Sequence, residues 1–198
     1  MDTRVAIVGT IVILAAIFFV APSTGTNSWS ISASNSIDVP SETFTVEGET
    51  FRVSSVSLVD SGSITVSVSP GNDERYQINL YDNNKNIQAF KTVEGSTTVS
   101  FSTAGLDPGT YVVAPVQDGA KDVQPVVVSE MSIDVTAPTE IESDEPFQVR
   151  ATLNGNTGGL STVEAVVWGN GERYRTTLDQ TGPNSYAGSI TDLSVGQY

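Results

Sequence analysis

From Trp29 onward, apolar and polar residues alternate in short runs. Clear examples are Ile64-Thr65-Val66-Ser67-Val68, Tyr76-Gln77-Ile78-Asn79-Leu80 and Phe147-Gln148-Val149-Arg150-Ala151-Thr152-Leu153. Trp29-Ser30-Ile31-Ser32-Ala33, Val99-Ser100-Phe101 and Ile133-Asp134-Val135 repeat the pattern. A period of two places successive side chains on opposite faces of a strand, so each run predicts a half-buried β-strand. Turn formers separate the runs: Ser69-Pro70-Gly71-Asn72-Asp73, Asp82-Asn83-Asn84, Asp107-Pro108-Gly109 and Gly169-Asn170-Gly171. Short strands with a turn every 8 to 12 residues or so predict an all-β protein of β-sandwich type. Ser and Thr make up roughly a quarter of the chain and fill outward strand positions, where small or β-branched polar side chains suit the pleat.

The pattern occurs twice. Leu106-Asp107-Pro108-Gly109-Thr110-Tyr111 matches Leu193-Ser194-Val195-Gly196-Gln197-Tyr198 at a shift of 87. At the same shift, Asn79-Leu80-Tyr81-Asp82-Asn83 lies over Val166-Val167-Trp168-Gly169-Asn170. Ile64–Val68 lies over Phe147–Ala151 at a shift of 83, and the difference fits a loop insertion. The chain therefore reads as residues 1–28, a first sandwich over 29–129, and a second over 130–198. In the first unit, Tyr111 opens a run to Val116, and Val123–Val128 follows; the second unit reaches Tyr198 without counterparts. The expectation is a second sandwich incomplete at its C-terminus.

The N-terminal part has a different character. Val5 to Ala21 is apolar apart from Gly9 and Thr10, and Pro22 ends it before a polar Ser23–Ser28 spacer. As a helix this run rises roughly 25 Å, just short of a hydrocarbon core of roughly 30 Å. It fits two roles, a membrane anchor or a cleaved signal peptide with a cut after Gly25. Arg4 ahead of the run directs the remainder outward. The expected location is extracytoplasmic, with the membrane as a partner through an uncleaved helix.

Charge refines the setting. The chain carries 9 basic and 23 acidic residues, a net charge of −14, with lysine only at Lys85, Lys91 and Lys121. Such a surface repels nucleic acid and anionic lipid, which sets polynucleotide partners aside. The acids are scattered along a chain that can bury a core, as in salt-adapted proteins, where concentrated ions screen the self-repulsion.

Side-chain chemistry argues for a non-enzyme. Cysteine and histidine are both absent, which removes disulfides, thiolate or imidazole metal sites, and triads built on His. No catalytic, cofactor-binding or metal residue is assigned. Asp82-Asn83-Asn84-Lys85-Asn86 places oxygen ligands like the start of a calcium loop, but Ile87 replaces the glycine such loops need. A polar hairpin turn is the better reading, and Asn72-Asp73-Glu74 has the same weakness. Trp29, Tyr76, Tyr81, Tyr111, Trp168 and Tyr174 offer material for a sugar-stacking platform, with core packing the favoured alternative. Tyr111 and Tyr198 each follow a Leu-X-X-Gly-X turn, the setting of a tyrosine corner.

These features, with Ile37-Asp38-Val39-Pro40, Phe44-Thr45-Val46-Glu47-Gly48, Gly105–Val113 and Ile133-Asp134-Val135-Thr136-Ala137-Pro138, resemble haloarchaeal cell-surface and surface-layer-type proteins with tandem immunoglobulin-like domains. The resemblance implies a non-catalytic structural or adhesion role, with other surface proteins or glycans as partners. Two alternatives stand beside it: a carbohydrate- or protein-binding accessory module of a larger secreted protein, and a stator-like support of a motility filament. One departure is that Asn27, Asn35 and Asn184, though each precedes Ser, lack the third-position hydroxyl of an N-glycosylation site.

Overall fold

The computed structural model describes residues 5–9, 29–60, 62–138, 146–155, 160, 162–169 and 172–191. The described residues are all-β, with several sheets and no helix. The chain forms two compact units, one ending at Ser129 and the other joining the part from Glu130 onward with the N-terminal strand Val5–Gly9.

The first unit holds nine strands. These are β2 (Ser30–Ala33), β3 (Ser36–Val46), β4 (Glu49–Val59), β5 (Ser63–Ser69), β6 (Arg75–Tyr81), β7 (Ile87–Glu94), β8 (Thr97–Ser102), β9 (Gly109–Val116) and β10 (Gln124–Val128). They form a three-stranded sheet, β2-β5-β8, and a six-stranded sheet, β3-β4-β10-β9-β6-β7. All pairs are antiparallel except β4 with β10, where Val126 stands opposite Ser57.

The alternating residues explain the core. Ile64, Val66 and Val68 of β5 meet Val99 and Phe101 of β8, Tyr76, Ile78 and Leu80 of β6, and Tyr111 and Val113 of β9. The outward hydroxyls of β5 and β8 pair across the strands: Thr65 with Ser100 at 2.8 Å and Ser67 with Thr98 at 2.9 Å.

A second cluster lies on the opposite face of β6 and β9. The β3–β4 hairpin contributes Val46 and Val53, with Phe44 and Phe51, against Tyr81, Ala114, Ala120 and Val123. Glu47 and Gly48 turn the hairpin with φ of 52° and 85°. Two successive left-handed residues match the right-handed twist of the flanking strands. The hairpin explains why β6 starts alternating and then becomes continuously buried from Ile78 to Tyr81.

The second unit contains β11 (Met131–Thr136), β12 (Phe147–Gly155), β13 (Val163–Gly169), β14 (Glu172–Gly182), β15 (Ser185–Ile190) and β1 (Val5–Gly9). Their order is β1-β13-β14-β15-β12-β11. Phe147, Val149, Ala151 and Leu153 of β12 share a core with Val163, Ala165 and Val167 of β13, Leu178 and Ile190. β14 is long enough to serve two neighbours: its first part pairs with β13, and beyond Leu178 it pairs with β15, with a bulge between Gln180 and Gly182.

The N-terminal segment departs from the helical expectation at its start. Val5–Gly9 is a strand antiparallel to β13, with Val5 opposite Val167 and Gly9 opposite Val163. Val5, Ile7 and Val8 are β-branched, and the edge of β13 supplies backbone partners, so an extended state is well served there. The remainder of the expected anchor or signal segment, residues 10–28, lies outside the described residues, as does Leu193–Tyr198. Among the described residues no helix is long and apolar enough to cross a membrane.

Candidate functional site

The polar turn at Asp82 is built by its own neighbours. One carboxylate oxygen accepts from the amides of Asn84 (2.8 Å) and Asn86 (2.9 Å). The other accepts from Asn86 Nδ2 (3.1 Å) and Gln88 Nε2 (2.8 Å). Slight desolvation works against the charged form, but the bonds from Asn86, Asn84 and Gln88 outweigh it and hold this carboxyl below its ordinary range. A carboxylate serving four donors within its own loop organises the β6–β7 turn. Among the described residues no group of three or more potential metal ligands assembles.

The Asn72-Asp73-Glu74 turn is likewise internally tied. Asn72 Oδ1 accepts from the Glu74 amide at 3.2 Å, and Asn72 Nδ2 donates to Gln117 Oε1 at 3.2 Å. Gln117 Nε2 donates in turn to Glu74 Oε2 at 2.9 Å.

Of the six aromatic candidates, Trp29, Tyr76, Tyr81 and Tyr111 belong to the first unit and Trp168 and Tyr174 to the second. Trp29 and Tyr76 meet edge to face at 4.9 Å and pack in the first core. The Tyr76 hydroxyl donates to the Gly95 carbonyl at 2.8 Å, and burial pushes its pKa up. The Tyr111 hydroxyl reaches back to the Asp107 carbonyl at 2.8 Å, the contact of a tyrosine corner. Its pKa is raised by burial first, then by the charges of Asp107 and Asp82. Tyr81 belongs to the cluster under the hairpin, and Tyr174 packs against the second core. Trp168 is half-buried on β13, opposite Arg173. In the first unit Trp29, Tyr76 and Tyr111 share one core, Tyr81 packs under the hairpin, and the Tyr111 hydroxyl makes the corner contact.

Two buried polar features escape a reading by alternation. Asn79 Nδ2 donates to the Tyr81 hydroxyl at 2.8 Å, and that hydroxyl donates to Glu47 Oε1 at 2.6 Å. This chain ties the hairpin tip to β6. Burial pushes the Tyr81 phenol up to about 12; its bond from Asn79 works the other way, and its bond and charge interaction with Glu47 add to the rise. Asp122 accepts from the Ile31 amide at 2.9 Å and from its neighbour Val123 at 2.9 Å. Burial raises its pKa, and those two bonds partly offset the rise. A loop carboxylate thereby fastens β2 to the approach of β10. No sequence signal separates Asn79 from the exposed polar residues of an alternating strand, because its burial depends on a hairpin from elsewhere in the chain.

No protein-family model, curated protein or solved structure matches the chain. The site must therefore be judged on its own chemistry. The hydroxyls of Tyr76, Tyr81 and Tyr111 and the carboxylates of Asp82 and Asp122 find partners within the fold and order a loop, a corner or a hairpin, whereas Asn79 Oδ1 and Thr110 Oγ1 are buried without one. Among the described residues, the most exposed large apolar side chains are Phe90, 61% exposed, and Ile87, 50% exposed, both on the edge strand β7.

Proposed function

We propose that this chain is a non-catalytic structural or adhesion protein of a microbial cell surface, built from tandem immunoglobulin-like β-sandwiches. The observation that carries the reading is the repeated strand arrangement. β2-β5-β8 corresponds to β11-β12-β15, and β7-β6 corresponds to β14-β13. In the first unit a strand preceding β5 adds parallel to the last strand, and a tyrosine hydroxyl closes the corner before β9. Both are habits of Greek-key sandwiches of the immunoglobulin type. Tandem modules of this kind serve as spacers and contact surfaces, and their rigidity comes from core burial.

The apolar run Val5–Ala21 and the acidic surface support an outward-facing, salt-adapted setting. Fractionation of the source cells, with protease added from outside, tests the reading. Recovery in the envelope fraction with external cleavage supports it; recovery in the soluble cytoplasm sinks it.

The accessory-module reading draws on one further observation, the exposed Phe90 and Ile87 of β7. A glycan array and a pull-down with wild-type and Phe90→Ser chains test it. Binding that depends on Phe90 would favour a recognition module over a spacer.

A further inference from the structure

The two units share the groupings β2-β5-β8 with β11-β12-β15 and β6-β7 with β13-β14, but fill the position beside β6 and β13 from unrelated sequence. In the first unit β9 lies beside β6 and runs antiparallel to it, with Val113 opposite Leu80 and Pro115 opposite Ile78. In the second unit Val5–Gly9 lies beside β13, also antiparallel, with Val5 opposite Val167 and Ile7 opposite Ala165. Leu80 and Val167 correspond in the repeat, and both are fully buried. Val5-Ala6-Ile7-Val8 therefore holds the register that Val113-Ala114-Pro115-Val116 holds in the first unit.

The sources of the two strands differ. β9 comes from within its own unit, after β8. Val5–Gly9 precedes the whole first unit in sequence. The shared property is the acceptor: a central strand whose core face is buried and whose far edge still has backbone groups to pair. Val163, Ala165 and Val167 line the core face of β13, and Val166 is buried as well. Such an edge selects by two criteria. Its N–H and C=O groups require an extended backbone, and its buried neighbours favour apolar, β-branched residues.

We infer that the edge of β13 is a strand-acceptor site: it takes an extended, apolar polypeptide segment running antiparallel to β13, in the position β9 occupies in the first unit. Val5–Gly9 is the resident example. The inference goes beyond the surface reading and is compatible with it. A chain whose Val5–Ala21 run lies in lipid or is removed presents this edge to another polypeptide strand of the same character.

The test uses the full-length chain with Ile7→Pro and Val8→Pro. Adjacent strand residues direct their N–H groups to opposite sides, so one of the two prolines must remove a ladder bond. The probe is a fluorescent synthetic peptide of residues 4–12. The expected result is saturable binding to this variant, and binding at least about tenfold weaker to the parent chain, whose tethered strand competes at high effective concentration. Register is read by disulfide capture, since the chain has no cysteine of its own. Glu164→Cys in the proline variant should trap a peptide carrying Val8→Cys, because Val8 stands opposite Glu164. It should not trap one carrying Val5→Cys. Absence of binding, equal binding by the parent, or capture regardless of cysteine position would each overturn the inference. Ile7→Asp repeats the measurement should the proline variant fail to fold. None of these readouts depends on where the chain resides in the cell, so fractionation to the cytoplasm would remove the surface reading and leave this site standing.

Discussion

Val66 has 0% exposure, and its neighbours on the core side are Ile64 and Val68 of its own strand, with Val99 directly opposite on β8. Val66→Asp places a carboxylate where no donor stands. A buried unpaired carboxylate costs several kcal/mol, comparable to the whole stability of a domain. The expected outcome is loss of the cooperative thermal transition of the first unit; a midpoint within a few degrees of wild type would mean that Val66 faces solvent. Tyr81 gives a second residue-scale expectation. Its phenol donates to Glu47 and accepts from Asn79, with a pKa pushed up to about 12. A folded chain holds this proton where an unfolded one has released it, so stability is full below about pH 10 and falls as pH rises towards about 12. Spectrophotometric titration should show late phenols, since Tyr76 and Tyr111 are raised as well, and Tyr81→Phe should remove the component near pH 12. The same substitution leaves Glu47 and Asn79 without their shared partner, at a cost of about 1–3 kcal/mol in denaturant melts.

At the scale of elements, the runs with clean alternation declare themselves. β5 and β12 could be read from Ile64–Val68 and Phe147–Leu153, because one face of each meets a core and the other meets water, and β6 from the alternation that opens at Tyr76, before the hairpin covers its second face. β7 could not. Only Ala89 and Val93 pack against the first core, a register shift at Leu80/Tyr81 breaks its spacing, and Phe90 points outward. The β3–β4 hairpin was hidden for another reason. Its turn uses Glu47 at positive φ, a position where sequence signals favour Asn, Asp or Gly. Its burial lies against the outer side of β6 and β9, a tertiary event that no local period encodes. For the same reason the Asn79–Tyr81–Glu47 chain was illegible, whereas the corner contact of Tyr111 followed from its Leu-X-X-Gly-X turn. Close packing between β14 and β15 yields an element-scale expectation. A Cβ at Gly188 would stand 2.7 Å from Leu178 Cδ2 and 2.9 Å from the Thr177 carbonyl oxygen. The carbonyl belongs to a paired strand and cannot retreat cheaply. Gly188→Ala should destabilise the second unit by about 1–3 kcal/mol through overpacking, and leave the transition of the first unit in place. Equal stability in a urea melt would show that β14 and β15 can separate at no cost.

The whole molecule is governed by its charge. It carries 23 acids against 9 bases, a net charge of −14, over a fold without disulfides. Core burial must therefore offset both chain entropy and carboxylate self-repulsion. In dilute buffer the repulsion reaches across roughly 10 Å or more, and at molar salt its range contracts to roughly 3 Å. Salt should stabilise the fold for that reason alone. Some salts also strengthen apolar burial, so the two causes need separating. Potassium chloride and potassium sulfate at equal ionic strength do so: screening gives similar gains, whereas strengthened burial gives a larger gain with sulfate. The full chain with Trp168→Phe leaves Trp29 as its one tryptophan, seated edge to face on Tyr76 in the first core. Its fluorescence should report a thermal midpoint several degrees higher in molar potassium chloride than in dilute buffer. An unchanged midpoint would mean that the scattered carboxylates repel too weakly to matter, and the salt-adapted setting would lose its physical basis. A gain found only with sulfate would assign the stabilisation to the apolar cores and would count equally against a role for charge.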